Sequence, residues 1–170
     1  MKREAKKNRS NTEPTEGEQL SELELALTIL WNSVRRWLSQ RSQARPTTGL
    51  ADLDVFLLHL LVYRNKQLRA TDLAFALSID DMHVVSYSLK KLARLGMISS
   101  ARIGKEVFYE PTQQGRQHYL DFLEDREQYL EPAMTLIAHD HDLKSLTTLL
   151  RALSGVYEQA ARSAASARGL

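Results

Sequence analysis

The sequence predicts a mostly α-helical protein built on a winged helix-turn-helix, three helices and a two-stranded β-hairpin, flanked by long dimerisation helices. Three observations predict it. Leu and Ala dominate while only seven glycines and four prolines stand in 170 residues, a composition that favours helix. Apolar residues recur at three- and four-residue steps through most of the chain. The period changes to that of strands only after Gly96, where Met97-Ile98 and Arg102-Ile103 lead through Gly104-Lys105 to Val107-Phe108-Tyr109.

Each element follows in order. Residues 1–17 hold Lys2, Arg3, Lys6, Lys7 and Arg9 with little to bury, and read as a disordered basic tail. Residues 18–45 read as a long N-terminal dimerisation helix, because Leu23, Leu27, Leu30, Val34 and Trp37 share a face that Leu25, Ile29, Trp31 and Leu38 widen. That is more apolar surface than one neighbour covers. After a connector with Pro46 and Gly49, residues 50–111 form the winged lobe. Its first helix is LADLDVFLLHLLVYR, with a break at Asn65-Lys66-Gln67. A short helix, LRATDLAFALS, follows from Leu68; Asp80 or Asp81 caps the next, which stops at Gly96. Pro111 ends the hairpin. Residues 112–163 read as C-terminal dimerisation helices: one capped by Thr112, carrying Tyr119, Leu120, Leu123, Leu130, Met134 and Ile137 with a kink at Pro132, then one carrying Leu146, Leu149, Leu150, Leu153, Val156 and Tyr157. Residues 164–170 are expected to fray.

Several functions are disfavoured. With no cysteine there is no disulfide, thiolate metal site or cysteine nucleophile. No run approaches the ~18 apolar residues of a membrane helix and the N-terminus has no apolar leader core, so a soluble cytoplasmic protein without a membrane partner is expected. No Ser/His/Asp spacing, phosphate loop or HExxH appears, which argues against an enzyme or a cofactor. His139-Asp140-His141-Asp142, with His118, invites a metal reading. Adjacent and i+2 side chains diverge on a helix, so the run reads instead as a polar break, and no metal is expected. His59, among leucines, reads as a core or interface histidine.

The charge is segregated. The net charge is +2, yet Ser86 to Lys105 holds three lysines, two arginines and no acid, whereas Glu106 to Asp142 holds nine acids and two arginines. At ~100° per residue, Val85, Ser88, Leu89, Leu92 and Leu95 share one face of the helix, and His83, Ser86, Tyr87, Lys90 and Arg94 the other. In a winged helix-turn-helix this helix enters the DNA major groove, early residues reaching base edges and later ones phosphates. Met82, His83, Ser86 and Tyr87 are therefore expected at bases or sugars, and Lys90, Lys91, Arg94, Arg102 and Lys105 at phosphates of double-stranded DNA. The alternative is a winged-helix adaptor that binds protein and contacts DNA weakly or not at all.

Leu68 to Leu77 (LRATDLAFAL), Leu89-x-x-Leu92-x-x-x-Gly96-x-Ile98 and Thr112-x-x-Gly115 resemble the MarR family of bacterial transcriptional regulators. The sequence departs from the family pattern at Ser78, where a turn glycine is common, and in a short wing without the usual Asp-plus-Arg tip. The resemblance implies a homodimer that reads a pseudo-palindromic operator through the major groove. It also implies a small aromatic or phenolic effector where the lobe meets the long helices, with Trp31, Trp37, Phe56, Tyr63 and Tyr119 as candidate lining. Core packing is the competing account of each of these aromatics.

Overall fold

A computed structural model describes residues 14–44, 49–137 and 142–167. Lys2 to Arg9, Pro46, the His139-Asp140-His141 run and the last three residues lie outside the described residues. The chain divides into two compact units, Met1–Gly115 and Arg116–Leu170.

The first unit opens with α1, Glu16–Ala44. It starts inside the expected tail because Thr15 and Glu18 cap it reciprocally: the Glu18 N–H donates to Thr15 Oγ1 at 3.3 Å, and the Thr15 N–H to the Glu18 carboxylate at 2.9 Å. Helix α2, Asp52–Arg64, ends where Asn65 turns left-handed at φ +48. Then come β1, Leu68–Arg69, α3, Ala70–Ala76, and α4, Met82–Arg94, followed by β2, Ile98–Ile103, and β3, Glu106–Pro111.

The sheet has three strands where the sequence predicts two. Its order is β1-β3-β2, antiparallel throughout, with Leu68 opposite Tyr109 and Arg69 opposite Phe108. Leu68 and Arg69 therefore extend the sheet and do not begin the short helix. Two residues carry no legible strand period. Between β2 and β3, Gly104 takes φ +63 in a two-residue turn, the geometry that matches hairpin twist. Leu57, Leu58 and Leu61 of α2, Leu73 of α3, and Val85, Leu89 and Leu92 of α4 are fully buried and form the core of the lobe.

The second unit contains most of α5, Gln113–Tyr129, then α6, Glu131–Ile137, and α7, Leu143–Ala167. The expected single kinked helix is two helices. Pro132 lies in the first turn of α6, where its missing N–H has no intrahelical partner to lose. Helix α7 continues through Ala167, past the expected end at 163. None of its described residues is buried, and Leu143, Leu146, Leu149 and Val156 are exposed along it.

Candidate nucleic-acid interface

The candidate surface is built from α4 outward. Asp81 caps the helix, its carboxylate accepting the His83 N–H at 2.8 Å, and Gly96 ends it at φ +72. Of the expected apolar face, Val85, Ser88, Leu89 and Leu92 are buried and Leu95, past the helix end, is half-buried, while His83, Tyr87, Lys90 and Arg94 are exposed. Tyr87 exposes 70% of its surface, far more than a core tyrosine would. Met82 and Ser86 are half-buried at the edge of the same stripe. Lys90, Arg94 and Lys105 make no ion pair among the described residues, so their charges remain available to an anion. Arg102 and Lys105 are exposed on the hairpin, and among the described residues Arg102 makes only a long 3.4 Å contact with the Gly104 carbonyl.

Lys91 departs from the expectation. Its ammonium donates to the Asp54 carboxylate at 2.6 Å and to the Gly49 carbonyl at 2.8 Å. The Asp54 side chain is 1% exposed and also accepts the Ala51 N–H at 2.8 Å. Lys91 is thus engaged inside the protein, tying α4 to the N-terminus of α2, where the sequence predicts a phosphate contact. A second addition lies at the wing. Arg69 grips Asp72 through two nitrogens, at 2.8 and 3.0 Å, and reaches Glu106 at 2.6 Å. The hydrogen bonds from the Arg69 side chain and backbone lower the Asp72 carboxyl to about 2, and the two acids raise the Arg69 guanidinium. One effect is that Glu106, the acid beside Lys105 at the wing tip, is paired with a cation. Val84, 42% exposed between His83 and Val85, is an apolar surface residue that the two-face projection passes over.

The aromatic candidates separate. Trp31 and Phe56 stack with centroids 5.9 Å apart. They line one pocket with Asp52, Leu53, Leu77 and Ile79, without Trp37, Tyr63 or Tyr119. Tyr63 is 72% exposed, because it stands at the last turn of α2 beyond the buried stripe, and Tyr119 belongs to the second unit. The five residues therefore do not form one lining in the first unit. Among the described residues no three His, Cys, Asp or Glu side chains come together to hold a metal, and no helix is long and apolar enough to cross a membrane.

Residues 50–115 match the family model described as "Winged helix DNA-binding domain". No curated protein matches the chain. Among solved structures, it is similar to NMB1585, a MarR family regulator from Neisseria meningitidis, at 18% identity, 85% of this chain, 97% of that one and TM-score 0.66. It is also similar to the transcriptional regulator BldR from Sulfolobus solfataricus, at 17% identity, 86% of this chain, 99% of that one and TM-score 0.63. A third is FabT from Streptococcus pneumoniae in complex with DNA, at 15% identity, 84% of this chain, 98% of that one and TM-score 0.58. At such identities the likeness is one of fold.

Proposed function

From a winged helix DNA-binding domain carried in the fold of the MarR-family transcriptional regulators, we propose that the protein is a homodimeric regulator that reads a pseudo-palindromic operator through the major groove. The observation that carries this reading is the exposed stripe of His83, Tyr87, Lys90 and Arg94 on α4, opposite the buried face of Val85, Leu89 and Leu92. A structural helix gains nothing from an exposed tyrosine among unpaired cations. A helix in the groove uses all of them: early polar and aromatic groups at base edges, later cations at phosphates.

The dimer rests on apolar surface. Leu25, Ile29 and Leu30 of α1 and Leu146, Leu149 and Val156 of α7 are exposed at helical spacing, and faces of this kind signal an association surface. FabT, of the same fold, has been captured on DNA. An aromatic effector that alters operator binding completes the proposal, with Trp31 and Phe56 as its contacts. The test is selection of bound duplexes from a random pool by the full chain. Enrichment of inverted repeats with half-sites about 10 bp apart, or a multiple of that, is the expected result. Failure to enrich any sequence above the starting pool would favour the adaptor.

A further inference from the structure

The stacked pair of Trp31, on α1, and Phe56, on α2, stands over a cavity of about 390 Å³ completed by Asp52, Leu53, Leu77 and Ile79. Two features distinguish it. Leu77 and Ile79 flank Ser78, which takes φ +51 in the turn between α3 and α4, so one wall of the cavity is the segment that sets the direction of the recognition helix. And the charged group in the lining is an acid. Asp52, in the first turn of α2, accepts the Arg35 Nε–H at 2.6 Å, but Arg35 itself is not part of the lining and its side chain is 56% exposed.

Aromatic faces beside a carboxylate are the chemistry that recognises organic cations: the ring quadrupole attracts positive charge, and the carboxylate completes a charge-assisted hydrogen bond. An aromatic carboxylate entering the same space meets Asp52 as a like charge. It would have to take Arg35 away from Asp52 before gaining a partner, and would leave Asp52 unpaired at its side. We propose that this pocket binds a planar aromatic cation, an amidinium or protonated heteroaromatic amine, with its ring on Trp31 and Phe56 and its charge at Asp52. Contact of the bound ring with Leu77 and Ile79 couples the pocket to the turn that precedes α4. The resemblance implies a small aromatic or phenolic effector; the acid in this lining narrows it to an aromatic cation. The coupling to α4 rests on the regulator reading above; the binding chemistry does not.

The chain has two tryptophans, so W37F leaves Trp31 as the reporter. Benzamidinium and benzoate, nearly isosteric and opposite in charge, are titrated into the full-length W37F protein and followed by Trp31 fluorescence. Benzamidinium should bind roughly tenfold or more tighter than benzoate, the ratio expected for one charge-assisted hydrogen bond. D52N should bring the two probes to similar affinity without changing the melting temperature much, since Asp52 is partly exposed. R35Q, which releases the competing guanidinium, should tighten benzamidinium binding. Benzoate binding as tightly as benzamidinium, or D52N leaving the cation's affinity unchanged, overturns the proposed ligand class. Saturating benzamidinium should weaken binding of the selected operator by the factor by which operator weakens benzamidinium, and D52N should abolish both effects. Asp52-dependent quenching with unaltered operator affinity overturns the coupling to α4. A protein that selects no DNA overturns the regulator reading, and the fluorescence arm still decides the pocket.

Discussion

Two adjacent lysines show how burial decides the role of a residue. Lys90 is exposed and without an ion pair among the described residues, whereas Lys91 meets a carboxylate that is 1% exposed. Replacing Lys91 by Met should destabilise the lobe by about 3 kcal/mol, because a buried charge is left without its partner. Lys90→Ala should stay within about 0.5 kcal/mol, as exposed substitutions do. Urea unfolding of both variants checks the contrast, and equal destabilisation would deny Lys91 its role. Ser78→Gly should move the other way and gain up to about 1 kcal/mol, because φ +51 strains a side chain and not a glycine. Asp72 adds a pH signature. Its carboxyl is held at about 2, below its ordinary value, so the stability it contributes is complete above roughly pH 4 and lost as pH falls through about 2. The pair is partly exposed and screened, so the effect is small; Asp72→Asn should flatten acid unfolding in that window. Of the site, the helical period alone located the stripe, because burial of Val85, Leu89 and Leu92 fixes where His83 and Lys90 point. It did not distinguish Lys91, which stands about 80° round from His83 at ~100° per residue, at the margin of the face. Its partner lies 37 residues away, where no local pattern can announce it.

At the scale of elements, the motif Thr112-x-x-Gly115 acquires a physical meaning. Thr112 Oγ1 donates to the Gly96 carbonyl at 2.6 Å and accepts the Gly115 N–H at 3.2 Å, so one hydroxyl joins the end of α4 to the start of α5. Gly115 has no room for a side chain: a Cβ there would stand 2.0 Å from the Met97 carbonyl oxygen and 3.0 Å from Leu58 Cδ1. Gly115→Ala should therefore destabilise by at least about 2 kcal/mol through backbone displacement, and Thr112→Ala by about 1 kcal/mol through removal of the cap. Thermal unfolding should rank them in that order. The elements that were legible are those whose signals are local: the amphipathic period of α4, the Asp81 cap, and the glycines at 96 and 104. Those that were not depend on partners distant in sequence. Strand β1 exists because Leu68 and Arg69 find Tyr109 and Phe108, and the early start of α1 depends on the Thr15–Glu18 pair inside a stretch that otherwise reads as tail.

For the whole molecule, the proposed dimer and its proposed DNA complex are tested by quantities no single helix determines. Light scattering should give twice the 19.4 kDa chain mass at micromolar concentration, since the exposed leucines of α1 and α7 have no partner of their own within the described lobe or helix. A monomer would leave those faces unexplained. DNA binding should then separate two kinds of defect. Lysines and arginines at phosphates release counterions, so Lys90→Ala or Arg102→Ala should weaken operator and scrambled duplex alike and reduce the slope of log K against log salt by roughly 1 for each phosphate left unneutralised in each half of the dimer. His83→Ala or Tyr87→Ala should cost roughly 1 to 3 kcal/mol on operator and little on scrambled DNA, because base-edge hydrogen bonds exist only where the right base stands. Lys91→Met provides the internal control: its ammonium is held by Asp54 rather than a phosphate, so any weakening of DNA binding should come with lowered stability and an unchanged salt slope. Val85→Asp should unfold the lobe outright, because the fully buried position would take a carboxylate out of water. Titrations at several salt concentrations, with melting temperatures measured on the same samples, resolve the four behaviours. If Lys90 and Arg102 variants kept wild-type affinity and slope on both duplexes, the stripe would be a solvated face and the lobe a protein-binding module.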